Sequence, residues 1–461
     1  MPASPARAAA FQILMRVERD DAYASELLHS DALSKLSNRD HGLTTELLMG
    51  VLRWRSLLDE YVSAASSQKL TRLDPEVLTS LRMGAYQLRF LSKVPARAAI
   101  FESVELVKGA KKKSAASFVN AVLRKIEKES GNKISKKDDE DHRSAIGRSA
   151  TTASLARNAA HPEWLVARWV NRYGLEAVRK LCLQNQSVPA TSISIRGQST
   201  FSEEQLAAEG VTLSPGEIVS SARRVLAGDI TQTQSFRHGG IYIQDEGSQL
   251  VALLAAIPAT TPATILDCCA APGSKTSLIA NRNPQSRVFA TELHPHRARL
   301  LRRLTRESNV SIIVADACSM PFSERFERIL ADVPCSGTGT LGHNPEIKWR
   351  LKKEDLADLQ AKQIAILKSA MNQLTMGGRI LYSTCSLEQE ENEDIVQAAR
   401  ADSTNFTVLE IEPELDRLRA SGDLVNNVVG NGPSLVEGPY LRTVPGVHPC
   451  DGFFAALIER A

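Results

Sequence analysis

At 461 residues the chain is too long for one hydrophobic core, so two or three domains are expected. Its 56 basic and 53 acidic residues leave a net charge of only +3, which excludes a bulk-charge signal for a polyanion and leaves that role to local clusters. No apolar stretch approaches a membrane span, and the start MPASPARAAAFQILMRVERD lacks the apolar core and cleavage site of a secretory signal, so a cytoplasmic protein with no membrane partner is expected.

Residues 1–130 carry helical periodicity and almost no strand signal. Phe11, Leu14 and Met15 begin one helix. Asp74 followed by Pro75 reads as an N-cap with proline at the first helical position, and Val77, Leu78, Leu81, Ala85 and Leu88 then share a face. A later helix holds Phe118, Val119, Val122, Leu123 and Ile126. From Lys128 to Ala160 large apolar residues become sparse, and residues 131–160 read as a solvated linker, the acidic run Asp138–Asp141 included. Order resumes at His161-Pro-Glu-Trp164, a helix start. Thr191–Ile195 and Phe201–Glu209 then suggest a small α+β module over residues 161–238.

Residues 239–461 alternate strand and helix. Short apolar runs at Ala263–Asp267, Arg287–Glu292, Ser311–Asp316, Arg328–Val333 and Arg379–Ser383 are separated by helical stretches, notably His296–Ser308 and Lys353–Thr375. Such alternation predicts an α/β domain with a doubly wound, largely parallel sheet. Phe406–Ile411 and Gly452–Ile458 suit an antiparallel closing pair.

The first of these strands runs into Asp267-Cys-Cys-Ala-Ala-Pro-Gly-Ser-Lys-Thr276. Small residues after a strand let backbone approach a ligand closely, and Lys275 opens the next helix. Neither the P-loop spacing nor GxGxxG is present. The second strand ends in Glu292, near the offset at which an acid binds a ribose hydroxyl, and the third ends in Asp316, placed for an adenine amino group. Acids ending three successive strands around one small-residue turn predict a nucleoside cofactor. Without a pyrophosphate-type glycine signature, S-adenosylmethionine fits better than NAD.

Seven cysteines (182, 268, 269, 318, 335, 385 and 450) form neither a CxxC pair nor a disulfide framework, and no metal is expected. Most read as small core residues, with Cys268 and Cys269 packed beneath the cofactor turn. Two differ. Cys335, in Asp332-Val-Pro-Cys-Ser-Gly-Thr-Gly-Thr340, and Cys385, in Tyr382-Ser-Thr-Cys-Ser-Leu387, each follow a buried-strand run and lead into small residues. Two thiols delivered to the ligand-binding edge of an open sheet point to covalent catalysis with a helper thiol.

With DCCAAPGSKT, DVPCSGTGT, YSTCS and DGFFAALIER in this order, the chain resembles the RNA cytosine-C5 methyltransferases. Arg39–Tyr61 and Pro75–Ile126 resemble the NusB-like RNA-binding domain on the bacterial 16S rRNA branch, the RsmB/Sun family. The resemblance implies a Rossmann-like, S-adenosylmethionine-dependent domain preceded by an all-α domain and a small α+β module. It implies a monomer forming 5-methylcytosine in 16S rRNA. A thiolate adding at cytosine C6 makes C5 enamine-like, so that C5 attacks the sulfonium methyl. Spacing alone does not say which thiol attacks, since related DNA enzymes use the PC cysteine. The resemblance assigns Cys385 as nucleophile and Cys335 to resolution and release of the adduct. It places Asp332 on the N3/N4 edge of cytosine, with Lys275 lining the same pocket. The cofactor is expected on Cys269, Ala270, Ala271, Pro272, Gly273, Ser274, Lys275, Glu292, Asp316 and Asp332, although Ser274 stands where the family often has a second glycine.

Pro345–Arg350 resembles the segment after the PC motif, and Trp349 is read equally as a stacking platform for the substrate strand or as a core residue. Two basic clusters are candidates for guiding RNA: Lys108, Lys111, Lys112, Lys113 with Arg124, and Arg297, Arg299, Arg302, Arg303, Arg306. The other readings are a tRNA cytosine-C5 methyltransferase and a non-catalytic NusB-like RNA-binding or antitermination factor.

Overall fold

The computed structural model describes residues 3–20, 22–28, 33, 36–129, 137–195, 202–258, 262–401, 405–425 and 433–461. They divide into a helical unit, Met1–Val188 with Leu341–Arg350, and a sheet unit, Pro189–Thr340 with Leu351–Ala461. Among the described residues no helix is long and apolar enough to cross a membrane.

In the helical unit, Pro75–Phe90 is the most enclosed helix, burying Val77, Leu81, Met83, Ala85, Tyr86 and Leu88. It packs among Pro5–Arg19, Asn38–Arg53, Arg55–Ala65, Ala96–Gly109 and Ala116–Glu129. Gly84 permits that packing: a Cβ there would lie 2.6 Å from Leu123 Cδ1, so even alanine would force the Leu123 side chain to shift. Asp74 sits at the predicted N-cap with Pro75 behind it, but its side chain caps nothing and pairs instead with Lys112 at 2.9 Å.

The expected linker is a correction. Residues 130–136 lie outside the described residues, as do the side chains at 137–139, but most of the remainder is helical, Lys137–Gly147 and Thr152–Asn158. Thr151 and Ser154 form a reciprocal capping box at the second helix. Ile146, Leu155, Ala156, Ala159 and Ala160 are buried. Small alanines do much of the packing here, which is why a search for large apolar residues reads the stretch as solvated. The next helix, Glu163–Asn185, also belongs to the helical unit, so the sheet unit begins later than the expected module boundary.

Leu341–Arg350, which includes the Pro345–Arg350 segment read as a candidate for substrate contact, belongs to the helical unit. Helix Asn38–Arg53 ends with carbonyls that have no intrahelical donor. Trp349 Nε1 donates to Leu52 O (2.6 Å), and Lys348 Nζ donates to Arg53 O (2.9 Å), which also accepts from Gln186 Nε2 (3.0 Å). Trp349 is thus a half-buried residue packed against the helical unit, with its one polar atom satisfied. A cation at a helix C-terminus is favoured by the helix dipole.

The sheet unit begins with a four-stranded antiparallel sheet of order β2-β3-β1-β4, made from β1 (Thr191–Ile195), β2 (Thr212–Pro215), β3 (Ala222–Ala227) and β4 (Ile241–Ile243). Phe201 lies outside the described residues. The main sheet contains β5 (Thr264–Asp267), β6 (Arg287–Glu292), β7 (Val310–Val314), β8 (Phe326–Asp332), β9 (Leu374–Thr384), β10 (Phe406–Leu409), β11 (Val436–Glu437), β12 (Tyr440–Arg442) and β13 (Phe454–Arg460). Their order is β11-β12-β13-β9-β8-β5-β6-β7, with β10 also on β13. Strands β5 to β9 run parallel, while β10 and β9 pair antiparallel with β13, giving the expected closing pair. Asp316 is the one acid displaced from its expected strand end, lying two residues past β7.

Alternation along the strands fills two cores. Ile265, Leu330 and Leu381 pack with helix Glu246–Ala255 and with Ile279 and Leu301, whereas Leu266, Ile329, Ile380 and Tyr382 pack with Ile366 and Leu367. Helices on both faces explain why these parallel strands read as continuous apolar runs.

Lys348 is 1 % exposed, and burial drives its pKa well below the ordinary lysine value of 10.5. The folded chain therefore releases this proton at lower pH than the unfolded chain. Stability from this group rises with pH between the folded and unfolded pKa values and is lost as pH falls through that window. Lys348→Met is expected to flatten the rise in denaturation midpoint between pH 7 and about pH 10 relative to wild type, measured by chemical denaturation across that range.

Candidate active site at the strand ends

Strand order reverses between β8 and β5, and an open α/β sheet opens a crevice there at its C-terminal edge. The residues delivered to that edge are Asp267 from β5, Glu292 from β6, Asp332 from β8 and Cys385 just beyond β9. Because β13 runs antiparallel to β9, with Phe454 opposite Thr384, the segment Asp451–Phe453 enters the same edge.

The turn after β5 is packed tightly against its neighbours. Gly273 caps helix Ser274–Arg282 at φ +117°, in the region that disfavours side chains, and a Cβ there would lie 2.6 Å from Leu301 Cδ1. Ala270 N donates to Thr291 O (2.9 Å), and Thr291 Oγ1 donates to Cys268 O (2.6 Å), fixing the turn to β6. Cys268 is buried beneath the turn and Cys269 is half-buried, and burial raises the pKa of both thiols. Asp267 Oδ2 accepts from Thr276 Oγ1 (2.7 Å), while its Oδ1, though buried, has no partner within the protein. Burial pushes this carboxyl up to about 6.

Glu292 accepts from His294 N (2.9 Å) and faces Arg297 Nη1 at 3.6 Å, while Arg297 Nη2 donates to Ala271 O (3.2 Å). One member of the second basic cluster is thus drawn into the cofactor turn. Asp316 is exposed, with Oδ1 accepting from Cys318 N (2.9 Å).

The two thiols lie 3.4 Å apart, Sγ to Sγ. Backbone bonds join their loops and the last strand: Gly339 N donates to Cys385 O (2.9 Å) and Gly452 N to Gly339 O (2.8 Å). The hydrogen bond with Cys385, followed by burial, raises the Cys335 pKa well above the ordinary thiol value. Asp332 accepts from Ser383 Oγ (2.8 Å) and pairs with Lys275 Nζ (2.8 Å). Burial opposes the charge on Lys275, but Asp332, aided by Cys385, outweighs it and raises the lysine pKa. The ammonium also lies 5.5 Å above the Phe453 ring.

All four residues expected at the reacting centre therefore meet at one edge, beside the turn expected to hold cofactor. Ser336, Ser386 and Glu391 join them without a sequence motif of their own to mark them. Glu391 lies in the acidic run Glu388-Gln-Glu-Glu-Asn-Glu393, yet it is fully buried. Its place directly after the YSTCS motif was the only available signal.

A doubly wound sheet whose reversal point carries a small-residue turn and successive strand-end acids defines a Rossmann-like nucleoside-cofactor domain. Residues 254–459 match the family described as 16S rRNA methyltransferase RsmB/F, and residues 4–128 match the NusB family. The chain is 33% identical over 472 residues, covering 100% of both chains, to the probable ribosomal RNA small subunit methyltransferase B of Bacillus subtilis. It is 30% identical over 438 residues to ribosomal RNA small subunit methyltransferase B of Vibrio cholerae, covering 93% of this chain and 92% of that one. The crystal structure of PH0851 shares the fold with a TM-score of 0.77 at 21% identity, covering 99% of each chain. The chain belongs to the RsmB/F methyltransferase family, with a NusB-type helical domain at its N-terminal end. It is an RNA methyltransferase dependent on S-adenosylmethionine. The unpartnered Asp267 Oδ1 suits such a ligand, offering an acceptor to a polar hydrogen.

Gly273→Ala places a side chain where φ costs about 1–2 kcal/mol and where Leu301 stands in the way. The expected outcome is about tenfold weaker S-adenosylmethionine binding by calorimetry, with helical content retained by circular dichroism.

Proposed function

We propose that this protein transfers a methyl group to C5 of a cytosine in 16S rRNA, through a covalent adduct with Cys385 that Cys335 helps to release. The observation that carries the reading is the pair of thiols 3.4 Å apart beside the Lys275–Asp332 ion pair. One thiol suffices for an adduct, and a second in contact with it has a purpose when that adduct must be dismantled.

S-adenosylmethionine supplies an electrophilic methyl carbon on a sulfonium. The turn Cys269–Lys275, with Glu292, Asp316 and Asp332 around it, holds the cofactor. A target base has to leave its stack to enter such an edge, so the substrate is single-stranded or flipped. Asp332 accepts from the N4 amino group of cytosine, and Lys275 stabilises the negative charge that grows on the ring. The Cys385 thiolate forms a bond to C6, and the C5–C6 π electrons make C5 the nucleophile that takes the methyl as its bond to the sulfonium sulfur breaks, leaving the cofactor as a neutral thioether. The C5 proton then leaves to water, the double bond re-forms and the Cys385 sulfur departs. Cys335, kept protonated by its surroundings, donates a hydrogen bond to that departing sulfur.

Capture of RNA is assigned to the helical unit and to the exposed Arg299, Arg302 and Arg303. Lys108, Lys112 and Arg124 are already paired with Glu105, Asp74 and Glu127, which weakens the first basic cluster as a phosphate site.

Cys385→Ala is expected to abolish methyl transfer, whereas Cys335→Ala should accumulate a protein–RNA adduct that survives denaturing electrophoresis. Bisulfite sequencing of 16S rRNA from cells with and without the protein should show one 5-methylcytosine lost. Full activity of Cys385→Ala, or unchanged rRNA, overturns the reading.

A further inference from the structure

We propose that Glu391 is a positioning residue that holds the two cysteine-bearing loops in register, so that both thiols face one base. This rests on the reading that both thiols serve the same reaction. Glu391 is 0 % exposed and comes from the short helical turn Gln389–Glu391 after the Cys385 loop. A buried carboxylate is retained only where its oxygens are well supplied with donors. Here those donors come from both loops. On one side, Ser336, the neighbour of Cys335, donates its backbone N–H to Oε1 at 2.8 Å and its hydroxyl to Oε2. On the other, Ser386, the neighbour of Cys385, donates its hydroxyl to Oε2 at 2.5 Å.

The surrounding bonds extend the bracket around each thiol. Gln363, from helix Asp355–Met371, uses one amide nitrogen to reach both Glu391 Oε1 and Pro334 O, each at 2.9 Å. The PC loop is therefore tied to Glu391 on both sides of Cys335. Asn392 does the same for Cys385: its Oδ1 accepts from Thr384 Oγ1 (2.6 Å) and its Nδ2 donates to Ser386 O (3.0 Å). The Glu391 backbone carbonyl is itself fixed to β9 by the Tyr382 hydroxyl at 2.6 Å. Packing alone explains none of this, since an apolar side chain would fill the space without gathering donors from two loops. The backbone bond from Gly339 to Cys385 O remains when Glu391 is removed, so the fold should persist while the thiols lose their mutual placement.

The test uses the full chain carrying Glu391→Ala, Glu391→Gln or the double change Ser336→Ala with Ser386→Ala. Three readings are taken: S-adenosylmethionine affinity by calorimetry, kcat and KM for RNA methylation, and the rate of Cys335–Cys385 disulfide formation under diamide, followed by mass spectrometry. For Glu391→Ala, cofactor affinity and KM should stay within about twofold while kcat falls about 100-fold, the loss expected for misplacement on the scale of 1 Å. Disulfide formation should slow in parallel, and Glu391→Gln, which keeps one acceptor oxygen, should be intermediate in both. A wild-type disulfide rate in Glu391→Ala overturns the proposal, whatever happens to kcat. If Glu391→Ala fails to bind cofactor, the double serine variant decides, because it keeps the carboxylate and removes only the hydroxyl ties. Slower disulfide formation alongside a wild type that methylates no cytosine would leave the positioning role standing and remove the assigned reaction instead.

Discussion

Ile329 pairs with Ile380, Leu330 with Leu381 and Asp332 with Ser383, and the sheet edge depends on this parallel register between β8 and β9. A slip of one residue would exchange the side chains of the two cores, moving Leu381 away from Leu301 and Tyr382 away from Ile366. The register is thus held by burial on both faces. Its consequence at the C-terminal edge is chemical. Asp332 meets the Ser383 hydroxyl, and the chain beyond each strand brings one cysteine to the other.

The charges at that edge are arranged by the same geometry. Lys275 opens the helix after β5 and crosses to Asp332 on the neighbouring strand, so an ammonium and a carboxylate share the crevice without net charge. Asp267, deeper and with one oxygen unpartnered, is pushed toward neutrality by burial. Glu391 is the opposite case, a buried carboxylate surrounded by donors. These three acids lie within one sheet unit, and their surroundings assign them different work.

The helical unit solves a different problem, that of closing helix ends inside a core. The carbonyls of Leu52 and Arg53 at the end of Asn38–Arg53 receive the Trp349 indole and the Lys348 side-chain nitrogen, while Arg350 donates to Val17 O (2.9 Å). The segment that supplies these donors begins directly after the PC motif, at Leu341. The polypeptide carrying Cys335 therefore continues straight into residues that complete the helical core.

Periodicity and motif order were enough to predict a helical N-terminal region, a doubly wound sheet, a small-residue cofactor turn and two thiols at one edge, because these signals are local: strand-end residues stay at strand ends wherever the strands pack. Arg287–Glu292 was legible to the residue for that reason. The expected linker was not, since its alanines are buried by packing against neighbouring helices, chiefly Glu163–Asn185, and Trp349 could not be placed because an indole looks alike in a core and on a surface. Glu391 was hidden by its acidic neighbours. By itself the sequence determined which chemical groups reach the site. Only the tertiary structure decided which of them touch, which are buried and which carboxylate binds two loops together, because burial and hydrogen-bond partnership belong to residues distant along the chain.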